Sequence, residues 1–160
     1  MMTRFKISLG VFLAFLALAA QSKQNLAPSL EQMEDQLFFL VNQERARRGL
    51  SELRFAAELH AMARAHSSKM LRENQLAHDF PGYEKLAVRA VQAGLRFRSI
   101  GENLAVGAIF VMRFFHEQML ANPGHCDNIL YKDFTHLGVG IAQSDGKYYI
   151  TEEFADLYEP

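Results

Sequence analysis

The stretch from His136 to Ala155, "HLGVGIAQ", "SDG" and "KYYITEEFA", narrows the fold more than any other part of the chain. Two runs of strand-forming residues flank Asp145-Gly146, a strong short-range turn signal, and so read as the strands of a β-hairpin. Upstream, the periodicity is helical. "SLEQMEDQLFFLVNQERARRGL" reads as a first helix, with Ser29 as N-cap, Gln32 three residues on, Met33, Leu37, Leu40 and Val41 on one face, and Gly49 as the stop. Acids crowd its start and arginines its end, as the helix macrodipole favours. A second helix, from Ala56 to Glu73, carries Leu59, Met62, Ala63, His66 and Met70 at helical spacing; a third, from Tyr83 to Ala93, carries Leu86, Ala90 and Val91 and stops at Gly94. A fourth, from Ile109 to Ala121, is apolar around much of its circumference, which predicts cover on more than one side. Helices followed by a terminal hairpin predict an α+β domain whose antiparallel sheet packs against helices.

The N-terminus reads as a segment apart. In "MMTRFKISLGVFLAFLALAAQ" two cations, Arg4 and Lys6, precede an apolar run from Ile7 to Ala20, the layout of a secretory signal peptide with Ala17-Leu18-Ala19 as an A-x-A cleavage site. A bilayer span needs about 20 apolar residues, so contact with the membrane is expected only through this peptide during export. The organisation that follows is a signal peptide over residues 1–20, a linker over 21–30 and one domain over 31–160. The remaining length of about 140 residues suits a single core. Without the leader, two of the 17 basic and none of the 18 acidic side chains are lost, so the formal charge moves from -1 to -3. That surface argues against nucleic acid as the main partner. A single cysteine, Cys126, makes no internal disulfide, so an exported chain must be stable by packing alone. The absence of an N-x-[ST] sequon leaves a bacterial exported protein, secreted or periplasmic, as the simpler reading.

Three groups of residues invite a chemical reading. His116-Glu117 opens like the zincin motif H-E-x-x-H, but Leu120 stands where the second histidine belongs, so the pair is expected on the exposed side of the fourth helix. His125-Cys126, in "NPGHCDNIL" after a Pro-Gly turn, pairs a thiol with an imidazole only in sequence: adjacent residues point apart, and Cys126 reads as a partly buried structural thiol. His78, Glu102 and His125 are more informative, each beside turn-forming residues in "LAHDFPG", "IGENLAVG" and "NPGHCDN". Two neutral imidazoles and a carboxylate are good donors for a divalent ion such as zinc, and three ligands leave a position open for water or substrate.

"LVNQERARRGLSELRFAAELHAMARAHSSKM", "LAHDF", "AGLRFRSIGENLAVG", "NPGHCDNIL" and "FTHLGVGIAQ", in this order from Leu37 to Phe154, resemble the successive signatures of the CAP superfamily, also called SCP or sperm-coating-protein domains, in its compact bacterial form. The resemblance implies a three-layer α-β-α sandwich with a central antiparallel sheet and a cleft on one side. It also implies a cleft tetrad of two histidines and two glutamates able to hold a divalent metal, commonly zinc. His78, Glu102 and His125 match three of the four. The remaining glutamate, which lies one turn beyond a tryptophan in the family, falls on Asn122, with Met119 at the tryptophan place. The expected site is therefore a triad weaker than the family's tetrad, or simply a polar cleft that includes Asn122. Within this frame Gly101 is expected to turn the backbone, Asn103 and Asn128 to tie down their loops locally, His136 to pack at a strand entrance, and His66 to be a hydrogen-bonded core residue.

Three functions fit this reading. The first is a secreted or periplasmic CAP domain whose cleft binds a small or lipid-like ligand or an extracellular protein, with a divalent metal as an optional element. The second is a metal-dependent hydrolase, in which the metal would lower the pKa of bound water to about 7; if Glu102 is a ligand, the base is missing. The third is a purely structural cell-envelope module.

Overall fold

The computed structural model describes residues 27–108 and 111–158, so the expected signal peptide lies outside the described residues. Helix α1 (Leu30–Arg47) starts as its sequence dictates. The Ser29 hydroxyl accepts from the Gln32 N–H, and the Gln32 side chain accepts from the Ser29 N–H, a reciprocal capping box. It ends where Gly49 takes φ +71° and Leu50 N–H returns to the Arg45 carbonyl. A two-residue strand β1 (Arg54–Phe55) follows, then α2 (Ala57–Glu73), α3 (Leu86–Gln92), β2 (Phe97–Gly107), α4 (Met112–Ala121), α5 (Pro123–Leu130), β3 (His136–Ser144) and β4 (Lys147–Leu157).

The hairpin forms as expected. β3 and β4 pair antiparallel down to Ser144↔Lys147, and Asp145 (φ 51°) and Gly146 (φ 74°) supply the two positive φ angles of a tight primed turn. The sheet has the order β1-β3-β4-β2. β2 pairs antiparallel with β4, while the short β1 runs parallel to β3 at the opposite edge.

Alternation along β3 assigns its two faces. Leu137, Val139 and Ile141 point into the larger core with Met33, Leu37, Leu40 and Val41 of α1, Met112, Phe115 and Met119 of α4, and Ile129 of α5. Full burial of each such side chain contributes roughly 1.5–3 kcal/mol. On the other face, Gly138 and Gly140 carry no side chain because α2 occupies the space. A Cβ on Gly138 would lie 2.2 Å from the His60 nitrogen, and one on Gly140 would lie 2.1 Å from the Arg64 nitrogen. Helix α2 thus rests backbone-to-backbone on the sheet, with α3 beside it. The result is the three-layer α-β-α sandwich that the α+β pattern and the resemblance anticipated.

Several elements differ from expectation. The segment around Gly101 is the middle of β2, not a turn. The glycine is needed for close approach: a Cβ there would meet the Asn128 side-chain oxygen at 2.7 Å and the Phe134 ring at 3.1 Å. The Pro-Gly turn after Asn122 is the first turn of α5, because proline at N1 loses no intrahelical bond and the Asn122 side chain caps the His125 N–H at 3.2 Å. Helix α3 begins at Leu86 instead of Tyr83, since a turn closing Tyr83 N–H onto the Phe80 carbonyl takes up that stretch. His116 is buried, not exposed; its ring packs in near Glu44 of α1, leaving only Glu117 to solvent.

Buried polar groups tie the layers together. The Arg45 guanidinium is fully buried and donates to the carbonyls of Ser51, Ile129, Tyr131 and Phe134, joining α1 to the end of α5. Glu34 accepts from the Ile141 N–H and from Arg64, joining α1 to β3 and α2.

Candidate functional site

Glu102 lies on β2, directly opposite Glu153 of β4. Adjacent positions in an antiparallel pair share a face, so both carboxyls enter the α2/α3 side of the sheet, where they are buried. Arg89 of α3 reaches down between them. Its Nη2 donates to Glu102 Oε2 at 2.7 Å and its Nη1 to Glu153 Oε1 at 2.9 Å. The Tyr83 ring lies 5.2 Å from the guanidinium carbon and stacks on the imidazole of His66.

His78, in the loop after α2, closes the set from the solvent side. Its Nδ1 lies 2.7 Å from Glu102 Oε1, and 58% of its side chain is exposed. An ionised carboxylate only accepts, so Nδ1–H is the donor and Nε2 is left facing outward. His66 is fully buried, with Nε2 3.0 Å from the Ala77 carbonyl oxygen and 3.8 Å from Glu102 Oε2. It is the hydrogen-bonded core residue expected.

The backbone of His125 lies on the other side of β2. Asn103 points to the opposite face from Glu102, and its amide donates to the His125 carbonyl at 3.1 Å and to Glu152 Oε2 at 3.2 Å. Asn128 donates to Asn103 Oδ1 at 2.9 Å. The two asparagines therefore clip α5 to β2 instead of tying down loops locally. Asn122, expected in the cleft, is exposed and serves as the N-cap of α5. Cys126 is half-buried and free.

The charges are unequal to one another. Burial pushes the Glu102 carboxyl up, but the hydrogen bond from His78, the proximity of His66 and Arg89 together hold it below the usual carboxylate range. The same hydrogen bond raises His78 against a smaller opposing effect of burial. Burial lowers His125, and the His78 charge lowers it further. Glu153 is pushed up to about 8 by burial, with Glu102 adding to the rise and Arg89 opposing it. One guanidinium shared by two buried carboxyls favours the protonated form of Glu153. On the opposite face, Glu152 is pushed up to about 7 by burial alone, against its bond from Asn103.

Of the three expected metal donors, His78 directs its Nε2 outward, whereas both oxygens of Glu102 are engaged, one by His78 and the other by Arg89. Among the described residues, no three His, Cys, Asp or Glu side chains converge as metal ligands. The arrangement provides an oriented imidazole with an outward nitrogen, backed by a buried carboxylate, beside a second imidazole.

Sequence reasoning missed Arg89, Glu153 and Tyr83. Arg89 had a signal: it lies three residues after Leu86 and beside Ala90, on the face α3 buries, whereas Val91, expected there, is 65% exposed. Two consecutive acids in the middle of β4 were the signal for Glu153, since a strand covered on both faces must bury both.

Among the described residues, no helix is long and apolar enough to cross a membrane. The family model of the cysteine-rich secretory protein family, CAP, matches residues 38–154. The chain is 33% identical over 116 residues to the uncharacterized protein YkwD of Bacillus subtilis, covering 72% of this chain and 45% of that protein. The chain thus spans less than half the length of this curated relative. A crystal structure of an extracellular SCP-domain protein from Bacillus anthracis superposes with a TM-score of 0.72 at 28% identity, covering 79% of this chain and 42% of the other. An outer surface protein of Borrelia burgdorferi shares the fold with a TM-score of 0.75 at 17% identity, covering 82% of this chain and 97% of the other. A family model spanning most of the chain, together with a sheet and helical layers of the expected kind, means that this chain belongs to the CAP family of cysteine-rich secretory proteins.

Proposed function

We propose that the chain is an exported CAP domain, secreted or periplasmic, that binds a small or lipid-like ligand, or an extracellular protein, in the cleft between His78 and His125. The observation that carries this reading is the relay from Arg89 through Glu102 to His78, which fixes one imidazole with its outer nitrogen directed to solvent. A buried carboxylate behind an imidazole sets the ring's tautomer and orientation, a preorganisation useful to any group the ring receives. A divalent metal such as zinc is an accessory of this reading, held on the imidazoles.

Native mass spectrometry of the leaderless chain, incubated with a fatty-acid panel and separately with zinc chloride, tests it. Adducts are expected on the wild type and should be lost in His78→Ala and His125→Ala. Adducts that persist unchanged in both variants would remove the cleft as the binding site.

The same relay supports a hydrolytic second reading, since an imidazole backed by a carboxylate is also a general base. Turnover of casein or an ester panel that disappears in His78→Ala and His125→Ala would favour it. Turnover that survives both would place the activity elsewhere.

A further inference from the structure

We infer that Arg89 is the resident counter-cation of this cleft and that it reserves Glu102 as a support for His78, withholding that carboxylate from a divalent metal. The inference rests on the cleft reading above and assigns its selectivity to a residue outside the expected ligand set.

Geometry carries the argument. Glu102 has two oxygens, and each already accepts a short charge-assisted bond, at 2.7 Å from His78 and 2.7 Å from Arg89. A metal ligated by Glu102 would have to take one of them. Displacing His78 removes the orienting bond from the imidazole that should be a co-ligand. Displacing Arg89 strands a guanidinium that is only 7% exposed and held by Glu153 and the Tyr83 ring. A dication that shared Glu102 with Arg89 would sit within a few ångström of a fixed positive charge in a water-poor site, where repulsion is weakly screened. Any metal is thus confined to the two imidazoles.

Isothermal titration with zinc chloride, on the intact chain and on Arg89→Met and Arg89→Gln, tests this. Removing the guanidinium frees one oxygen of Glu102 for zinc, so zinc affinity should rise at least about tenfold. The gain should vanish in Arg89→Gln/Glu102→Gln. Circular dichroism establishes which variant is folded; the glutamine keeps hydrogen-bonding capacity if the methionine variant fails. Unchanged or weaker zinc binding by a folded Arg89 variant overturns the inference. A crystal of the unmodified protein soaked in zinc gives an arm independent of variant folding. Zinc on Glu102 with Arg89 displaced overturns the inference, whereas zinc on the imidazoles alone, or no zinc, supports it. The cleft reading is judged separately, by the fatty-acid adducts of the histidine variants.

Discussion

Replacing Glu153 by glutamine should flatten the dependence of stability on pH. In the folded protein this carboxyl is pushed up to about 8 by burial, with the Glu102 carboxylate beside it, against an ordinary value of 4.5. Between those two values the native chain retains a proton that the unfolded chain has lost, so unfolding releases it and stability falls as pH rises. The contribution is fully present below pH 4.5 and gone above about 8. At about 1.4 kcal/mol per pH unit, the loss across the window is on the order of 4–5 kcal/mol, a large share of a typical domain's stability. Glutamine has no proton to lose and still offers Arg89 Nη1 an oxygen in place of the one it meets at 2.9 Å. Urea unfolding of both proteins at intervals from pH 5 to pH 9 measures the effect, with equal slopes against urea as the check that the same surface is exposed. Glu152, pushed up to about 7, is common to both proteins and cancels in the difference. At pH 5 the two should agree within about 1 kcal/mol, and by pH 9 the variant should be ahead by at least about 3 kcal/mol. Parallel curves would refute the assignment of a buried proton to Glu153.

Three further perturbations probe the frame around the site. Gly140→Ala would drive a Cβ to 2.1 Å from the Arg64 nitrogen, so α2 must lift off the sheet, and urea unfolding should show a loss of about 3 kcal/mol or more. Arg45→Met keeps the volume but takes the guanidinium donor from the carbonyls of Ile129 and Phe134, for a loss of about 3 kcal/mol in the same assay; a loss below about 1 kcal/mol would mean that solvent reaches them. Asn128→Ala unclips α5 from Asn103, costing about 1–2 kcal/mol, and as His125 becomes more exposed, NMR titration should show its pKa rising toward the ordinary histidine value.

Local signals were legible wherever the chain meets water or itself at short range. Ser29 with Gln32 announced a capping box and Asp145-Gly146 a hairpin, because each depends on a few neighbouring residues. The ordered signatures added the layers, and with them the association of His78 with Glu102. Long-range contacts decided what stayed illegible. Gly101 looks like a turn residue until Asn128 and Phe134 are packed against it, and β2 forms because β4 offers it a partner. Arg89 and Glu153 are separated by 64 residues, and each looks like a solvated charge by itself. Only their meeting beneath Glu102 makes their burial tolerable. His116 misled for the converse reason, since its polarity says surface while the junction of α4 with α1 encloses it.

Asn122 ends α4 and begins α5 in a single residue, its backbone closing one helix while its side chain caps the other. That makes it a pivot: its short side chain, together with the Asn103 and Asn128 clip, sets the angle at which α5 departs and hence where His125 is delivered. The family resemblance implies a glutamate at the matching place, so introducing that acid here would exchange a hinge pin for a charge. A longer acid is a poorer cap than asparagine, and His125 would lose its bearing as the new carboxylate arrived. Reconstructing the full tetrad in this chain is therefore a task of two linked substitutions, one for the ligand and another for the joint that aims it.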